Sequence, residues 1–194
     1  METALFSGPA FRALEVGEAD VPELQRFFEA NPEYFHIVGG EGPGADAARE
    51  EFEDRPPAGW PCDRTWLIRF VDGAGDTIGM ADVVSNLLAE GVWHIGLFIV
   101  ATSLHGTGAA QALYAGLEDW IRSSGARWLR LNVVVGNLPA ERFWNRAGYR
   151  EVRQRGGVEI GRRINTVRVM TKPLANGTPA EYLRIVARDR PEAP

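Results

Sequence analysis

A six-residue turn, His105-Gly106-Thr107-Gly108-Ala109-Ala110, lies between an apolar run that reads as a strand and an amphipathic run that reads as a helix. No other stretch limits the possible folds so much. The run before it, Ile95 to Val100, is apolar throughout. The run after it places Leu113, Leu117, Trp120 and Ile121 at steps of four, three and one, which is helical spacing. A second strand follows, Leu129 to Val135, and then a second helix opened by Asn137 as its cap. Val92 to Tyr149 therefore reads strand, glycine turn, helix, strand, helix.

Such a turn has a definite chemical use. The first turn of a helix carries unpaired N–H groups and the positive end of the peptide dipoles, so it attracts phosphate. Glycines at 106 and 108 let backbone approach a ligand, or take positive φ, with no Cβ in the way. Two phosphate loops are excluded. A Walker loop needs a Lys followed by Ser or Thr, and neither is present here. A dinucleotide fingerprint needs a third Gly or Ala where Gln111 stands, and an acidic residue ending the next strand, which instead ends Val133-Val134-Val135-Gly136.

Composition narrows the class further. With 194 residues, 45% of them hydrophobic, the chain can bury a sizeable core as one globular domain. A net charge of −5 argues against nucleic acid as the main partner, because phosphate backbones call for clustered Lys and Arg. The single cysteine, Cys62, rules out an internal disulfide and fits a reducing compartment. No run reaches the roughly 18 apolar residues of a membrane span. The N-terminus lacks a basic-then-apolar signal pattern, so the expected location is cytoplasmic.

Elsewhere, residues 8–16 read as a strand. Asp20 reads as the cap of a helix ending near Ala30, with Val21, Leu24, Phe27 and Phe28 as its apolar stripe. A Gly- and Pro-rich loop is expected up to Gly44, and a second helix over Ala45 to Asp54. Thr65 to Val71 and Thr77 to Val84 read as a hairpin around Asp72-Gly73-Ala74-Gly75-Asp76. Trp93 to Val100 continues the meander. Arg150 to Arg155 and Arg163 to Lys172 read as two last strands around Gly156-Gly157. The tail, 175–194, carries a capping box, Thr178-Pro179-Ala180-Glu181, before Tyr182, Leu183, Ile185 and Val186, which suggests a short helix outside a single domain over 1–174.

The turn resembles the acyl-CoA pyrophosphate loop of the GNAT N-acetyltransferase superfamily, R/Q-x-x-G-x-G/A. Gly108 and Ala110 match its fourth and sixth positions, and His105 stands where Arg or Gln is usual. Asn137 to Tyr149 resembles the family's N-x-x-A-x-x-F-Y-x-x-x-G-F/Y at Asn137, Ala140, Phe143, Gly148 and Tyr149, with Trp144 in place of the frequent Tyr. The two motifs occur in order, one helix and one strand apart, and the resemblance spans residues 8 to 174. It implies an α/β fold with a mixed sheet in the order β-α-α-β-β-β-α-β-α-β-β and splayed central strands. It also implies transfer of an acetyl group from acetyl-CoA, or another acyl-CoA, to a small-molecule or peptide amine, with no metal.

Residue roles follow from the resemblance. Phe98, Ile99 and Val100, the turn from His105 through Gly106, Thr107, Gly108 and Ala109 to Ala110, and Asn137, Phe143 and Trp144 are the expected cofactor contacts. Tyr34, His36 and Asp82 are candidate acceptor contacts. The amine must lose a proton before it attacks, and His94 and Asp82 are the candidate bases, with Asp82 able alternatively to hold His94. Which of them points into the pocket depends on strand register. Trp144 can donate a hydrogen bond to the leaving sulfur but no proton near neutral pH. Releasing a thiol of ordinary pKa near 8.5 as thiolate at pH 7 costs about 2 kcal/mol, so catalysis survives that loss. Direct attack in a ternary complex is expected. The alternative is an acyl-CoA-binding sensor or scaffold with little turnover. Edge strands and the extra tail make a homodimer a reasonable expectation.

Overall fold

The structure, a computed structural model, describes residues 3–193. Two short strands, β1 (Phe6–Gly8) and β2 (Phe11–Glu15), precede three helices, α1 (Val21–Ala30), α2 (Glu33–Gly39) and α3 (Ala47–Glu53). Then come β3 (Arg64–Val71), β4 (Thr77–Ser85), β5 (Val92–Val100), α4 (Ala109–Ser123), β6 (Trp128–Val134), α5 (Leu138–Arg146), β7 (Arg150–Ile160), β8 (Arg163–Pro173) and α6 (Pro179–Ile185). These strands form one mixed sheet in the order β1-β2-β3-β4-β5-β6-β8-β7. Within it β5 and β6 run parallel, joined by the α4 crossover. The fold is the mixed α/β architecture that the two motifs imply.

Several local expectations are corrected. Residues 8–16 hold a tight turn after Gly8, which splits that stretch between β1 and β2. The stretch after Asn31 is a helix, α2. Its apolar side chains at 34, 35 and 38 repeat at helical steps, but seven residues are too few to stand out between a proline and the left-handed Gly40 that ends them. Asp20 does not cap α1. Its carboxylate accepts from the Gly17 amide at 2.8 Å and pairs with Arg69 at 3.2 Å. Gly156-Gly157 is a bulge inside β7, where the register shifts between Arg155 and Val158, and the chain reverses at Gly161 (φ 54°) instead. Asn137 does cap α5, accepting from the Ala140 amide at 3.3 Å.

Helices α4 and α5 cover one face of the sheet, over Ala81, Val83, Ile95, Leu129, Leu131 and Met170. Helices α1 to α3 cover the other, over Leu67, Met80, Leu97 and Ile99. The C-terminal segment lies on this second face too. Tyr182 and Val186 pack on Val92 and Trp128, and Asp189, fully buried, pairs with the equally buried Arg130 at 2.8 Å. Tyr182 donates to the same carboxylate at 2.5 Å.

Candidate active site

One residue sets the geometry. The pairing of β4 with β5 shifts between Asp82 and Val83: Asp82 lies opposite Leu97, while Val83 lies opposite Ile95, so Gly96 is a bulge. The Asp82 carboxylate occupies the space a side chain would take there: a Cβ on Gly96 would stand 2.3 Å from Asp82 Oδ2, so that oxygen would have to move. Two residues on β5 oppose one on β4, and face parity inverts along β5. His94 therefore does not share a face with Phe98. It lies with Leu97, on the side of α1–α3 and the C-terminal segment. The Gly96 φ is not in the left-handed region, so alanine is conformationally acceptable there and the Cβ clash is the issue. Gly96→Ala is expected to displace the carboxylate and lower turnover by about 10²-fold at unchanged acetyl-CoA affinity, as read by thiol release beside calorimetry.

Just past the bulge the sheet opens. Parallel pairing of β5 with β6 runs from Val92↔Trp128 to Ile95↔Leu131 and stops there, although β5 continues to Val100 and β6 to Val134. The open fork is a cavity of about 220 Å³ lined by Tyr34, Gly96, Leu97, Phe98, Asn132, Asn137 and Trp144, among others. It shares Phe98, Ala140 and Trp144 with a pocket that also includes Val100 and His105. That pocket shares Gly106, Ala110 and Phe143 with a groove of about 500 Å³ between α4 and α5, rimmed by Arg146 and Lys172. A continuous path thus leads from the start of α4 into the fork.

The glycine turn has the form of an anion cradle. Gly106 and Gly108 have φ of 77° and 90°, and an added Cβ at either would meet nothing within 4 Å. Among the described residues, the amides of Gly106, Gly108, Ala110 and Gln111 donate no hydrogen bond. Four free N–H groups at a helix start suit a phosphate. His105 donates from Nε2 to the Val100 carbonyl at 3.1 Å, and Thr107 donates to the Leu104 carbonyl at 2.7 Å. The first ties the turn to the end of β5 and the second ties it to the short turn between β5 and α4, so neither side chain reaches outward. These contacts fit the pyrophosphate of an acyl-CoA, with Phe98, Phe143 and Trp144 flanking the path inward.

Two titratable groups stand behind the fork rather than in its lining: Asp82, whose Oδ2 lies close over Gly96, and Glu51, which lines a chamber beside α3. Asp82, half-buried, is pushed up to about 7 by burial and then by the negative charge of Asp54. Glu51 of α3 is pushed up to about 8 by burial and by Asp82 and Asp54. Sequence reading missed Glu51, which sits in a helix of polar residues with nothing to distinguish it. Tyr34 lines the fork and is kept protonated by burial.

His94 is poorly suited to be the base. Its Nδ1 is held by Arg130 alone, 3.1 Å from the carbonyl oxygen and 3.2 Å from the guanidinium. Burial, with the Arg130 charge next, pulls the ring down to about 3, so it stays neutral and a poor proton acceptor near pH 7. Nor is it held by Asp82, since its partner is on β6. His36 is exposed beside Gly42 and lines neither the fork nor the chamber beside α3. Glu33 accepts from Thr102 at 2.5 Å, and Trp60 lies under Arg188, so neither faces the fork. Tyr149 and Tyr182 are fully buried, engaged by Tyr114 and Asp189. Cys62 is exposed and lines no part of the fork. No group of three or more His, Cys, Asp or Glu side chains suited to a metal occurs among the described residues, and none of their helices is long and apolar enough to cross a membrane.

The fork thus opens beside a glycine-lined helix start, with the Asp82 carboxylate close over Gly96. The family model described as the acetyltransferase (GNAT) family matches residues 23–149. The chain belongs to that family. Among solved structures it resembles an acetyltransferase from Thermus thermophilus, at 22% identity and TM-score 0.66, covering 88% of this chain and 99% of that one. It also resembles a spermidine N-acetyltransferase from Vibrio cholerae in complex with CoA and spermine, at 15% identity and TM-score 0.64, covering 89% and 98%. A third is the ribosomal-protein-S18-alanine N-acetyltransferase from Escherichia coli, at 13% identity and TM-score 0.62, covering 87% and 96%. At these identities the likeness establishes the fold. No curated protein matches the sequence.

Proposed function

We propose that the protein transfers an acetyl group from acetyl-CoA to a primary amine by direct attack in a ternary complex. The observation that carries this reading is the fork: pairing of β5 with β6 ends at Ile95↔Leu131, and the gap runs on to the free amides of the glycine turn. Acetyl-CoA, when bound, supplies an activated thioester. The chain's own residues do the rest. Amides of Gly106, Gly108, Ala110 and Gln111 hold the pyrophosphate. The β5 edge from Leu97 to Val100, without a strand partner on the fork side, offers backbone donors to the thioester oxygen. One such preorganised donor is typically worth about 3 kcal/mol. Asp82 takes the proton of the incoming ammonium, and its position near pH 7 suits a base that must be ionised yet able to accept. The acidic wall of Glu51, Asp54 and Asp82 favours a cationic acceptor, and Tyr34 lines its approach. Cys62 takes no part, so no acyl-enzyme forms. The site is expected to work in the cytoplasm.

The binding-only reading has one observation in its favour. Trp144, which cannot titrate, lines the fork where a tyrosine would deliver a proton to sulfur. Calorimetric titration of acetyl-CoA into the wild type and into Gly108→Asp tests the donor site. Asp at a φ of 90°, with its charge facing the cradle, is expected to reduce micromolar affinity at least about 100-fold. An amine panel with free-thiol detection then separates the two readings. Absence of thiol with every amine, at intact acetyl-CoA affinity, would leave the binding module.

A further inference from the structure

The two strands that form the fork, β5 and β6, lie in the middle of the sheet, and each has a single exposed residue: Gly96 and Asn132. The two belong together. The last pair of the parallel ladder is Ile95↔Leu131, so Gly96 and Asn132 are the next residues on either side of the opening. They also share a face. Leu129, Leu131 and Val133 point into the core under α4 and α5. By alternation Asn132 stands on the opposite face with Arg130, whose guanidinium meets His94. Asp82, opposite Leu97, is on that face too, and its Oδ2 lies over Gly96. Three neighbouring strands thus present Asp82, Gly96 and Asn132 in one row, and only the middle residue has no side chain.

Nothing in the fold calls for an asparagine at 132. Asparagine is disfavoured in strand interiors, and here it interrupts an apolar run, Leu131-Asn132-Val133-Val134. It caps no helix and bounds no turn. Among the described residues its side chain makes no hydrogen bond, and it lines the fork cavity. An exposed amide is satisfied by solvent. A substrate that covers it must supply a bond in solvent's place, because an amide left unpaired in a closed site costs about 1–3 kcal/mol. Two strand spacings, about 10 Å, separate the Cα atoms of Asp82 and Asn132, which leaves room for two short side chains and one nitrogen between them.

We infer that Asn132 binds the acceptor: its Oδ1 accepts a hydrogen bond from the amine nitrogen over Gly96, across from Asp82, and so selects primary over secondary amines. This rests on the acetyltransferase reading above. A primary ammonium carries three N–H bonds. The first proton goes to Asp82. The freed lone pair forms the C–N bond as the C–S bond breaks, and the thiolate leaves with the electron pair. The second proton passes through solvent to the thiolate. The third stays as the N–H of the product amide, and this is the bond that can point at Asn132 throughout. A secondary ammonium has two protons, loses both, and keeps none for Asn132. A neutral oxygen suits the place, since a second carboxylate there would hold the ammonium charged and oppose loss of the first proton.

The test is Asn132→Leu, which keeps the size and improves strand propensity. Thiol release gives kcat/KM for the fastest primary amine of a panel and for its N-methyl form. Acetyl-CoA affinity is expected to stay as in the wild type, and Tm not to fall. For the primary amine kcat/KM is expected to drop about 10- to 100-fold, and for the secondary amine to change less than about threefold. Asn132→Thr, which restores an oxygen, should recover part of the primary-amine rate. An equal loss with both amines, or none with the primary one, would overturn the inference. Weakened acetyl-CoA binding would overturn it too, since Asn132 would then act on the donor side. Where the secondary amine is too slow to follow, the products serve. The N-acetyl amide is expected to inhibit the wild type more tightly than its N-methyl form does, and Asn132→Leu to lose that difference; equal inhibition of the wild type counts against the inference. If no amine releases thiol from the wild type while acetyl-CoA still binds, the acetyltransferase reading itself fails, and this assignment with it. A primary amine turned over by Asn132→Leu at the wild-type rate sinks the assignment alone.

Discussion

Asp82→Asn is expected to lower turnover by about 10²–10⁴, the span typical of a lost general base, while acetyl-CoA affinity stays as in the wild type. The asparagine is nearly isosteric and keeps the contact over Gly96, so a change in kcat without a change in donor binding isolates the proton transfer. The pH profile sharpens the test. Burial and Asp54 place Asp82 at about 7, and it works as a base only when ionised. Activity in the wild type should therefore rise with pH through about 7 and level off above it. The Asn variant should lack that limb. Glu51, at about 8 and coupled to Asp82, titrates with it, so the limb belongs to the pair and is broader than a single-site curve. A wild-type profile flat from pH 6 to 8 would remove Asp82 from the mechanism.

The second large effect is on stability. Asp189→Ala leaves the Arg130 guanidinium, 1% exposed as a residue, without its carboxylate. Breaking one half of a buried pair typically costs 3–5 kcal/mol, or about 6–20 °C in Tm for a domain of this size. The same substitution takes the acceptor from the buried Tyr182 hydroxyl and removes a 3.9 Å pairing with Arg155, so the measured loss belongs to the whole cluster. The pH dependence has a definite sign. Burial raises the Asp189 carboxyl, but Arg130 and Tyr182 outweigh it and hold it below its ordinary value. Its contribution is therefore present above about pH 4 and lost as pH falls through the depressed folded value. The stability gap between wild type and Asp189→Ala, followed by thermal melts, should accordingly close toward acid. Equal Tm values at pH 7 would mean that the C-terminal segment is not part of the folded core.

Most strands and the main helices could be read from the sequence because each carries its signal within about ten residues. The runs of β3 and β4 around their glycine-rich turn, the spacing of Leu113, Leu117 and Ile121, and the caps at Asn137 and Thr178 are of that kind. The glycine turn was legible for the same reason. What could not be read depended on register or on distance. A strand is read by counting twos, and one extra residue at Gly96 turns every later count over, which is why the face of His94 could not be read. An isolated glycine inside a strand pattern is a known sign of a bulge, and it was the one available clue. The Arg130–Asp189 pair joins residues 59 apart and has no local pattern at all. Only the packed structure reveals that His94 is already engaged.

The C-terminal anchor also has a consequence for how the chain is made. Synthesis proceeds from the N-terminus, and Arg130 is translated well before the residue that neutralises it. Until Asp189 has emerged, β6 carries an unpaired guanidinium at the root of the fork. The parallel β5–β6 pair, the slow non-local step of such a sheet, then has no means of burying it. Completion of the fork is thereby tied to the arrival of the C-terminal segment. A fragment cut short before residue 189 is expected to dwell as an open, protease-sensitive intermediate rather than as a working catalyst.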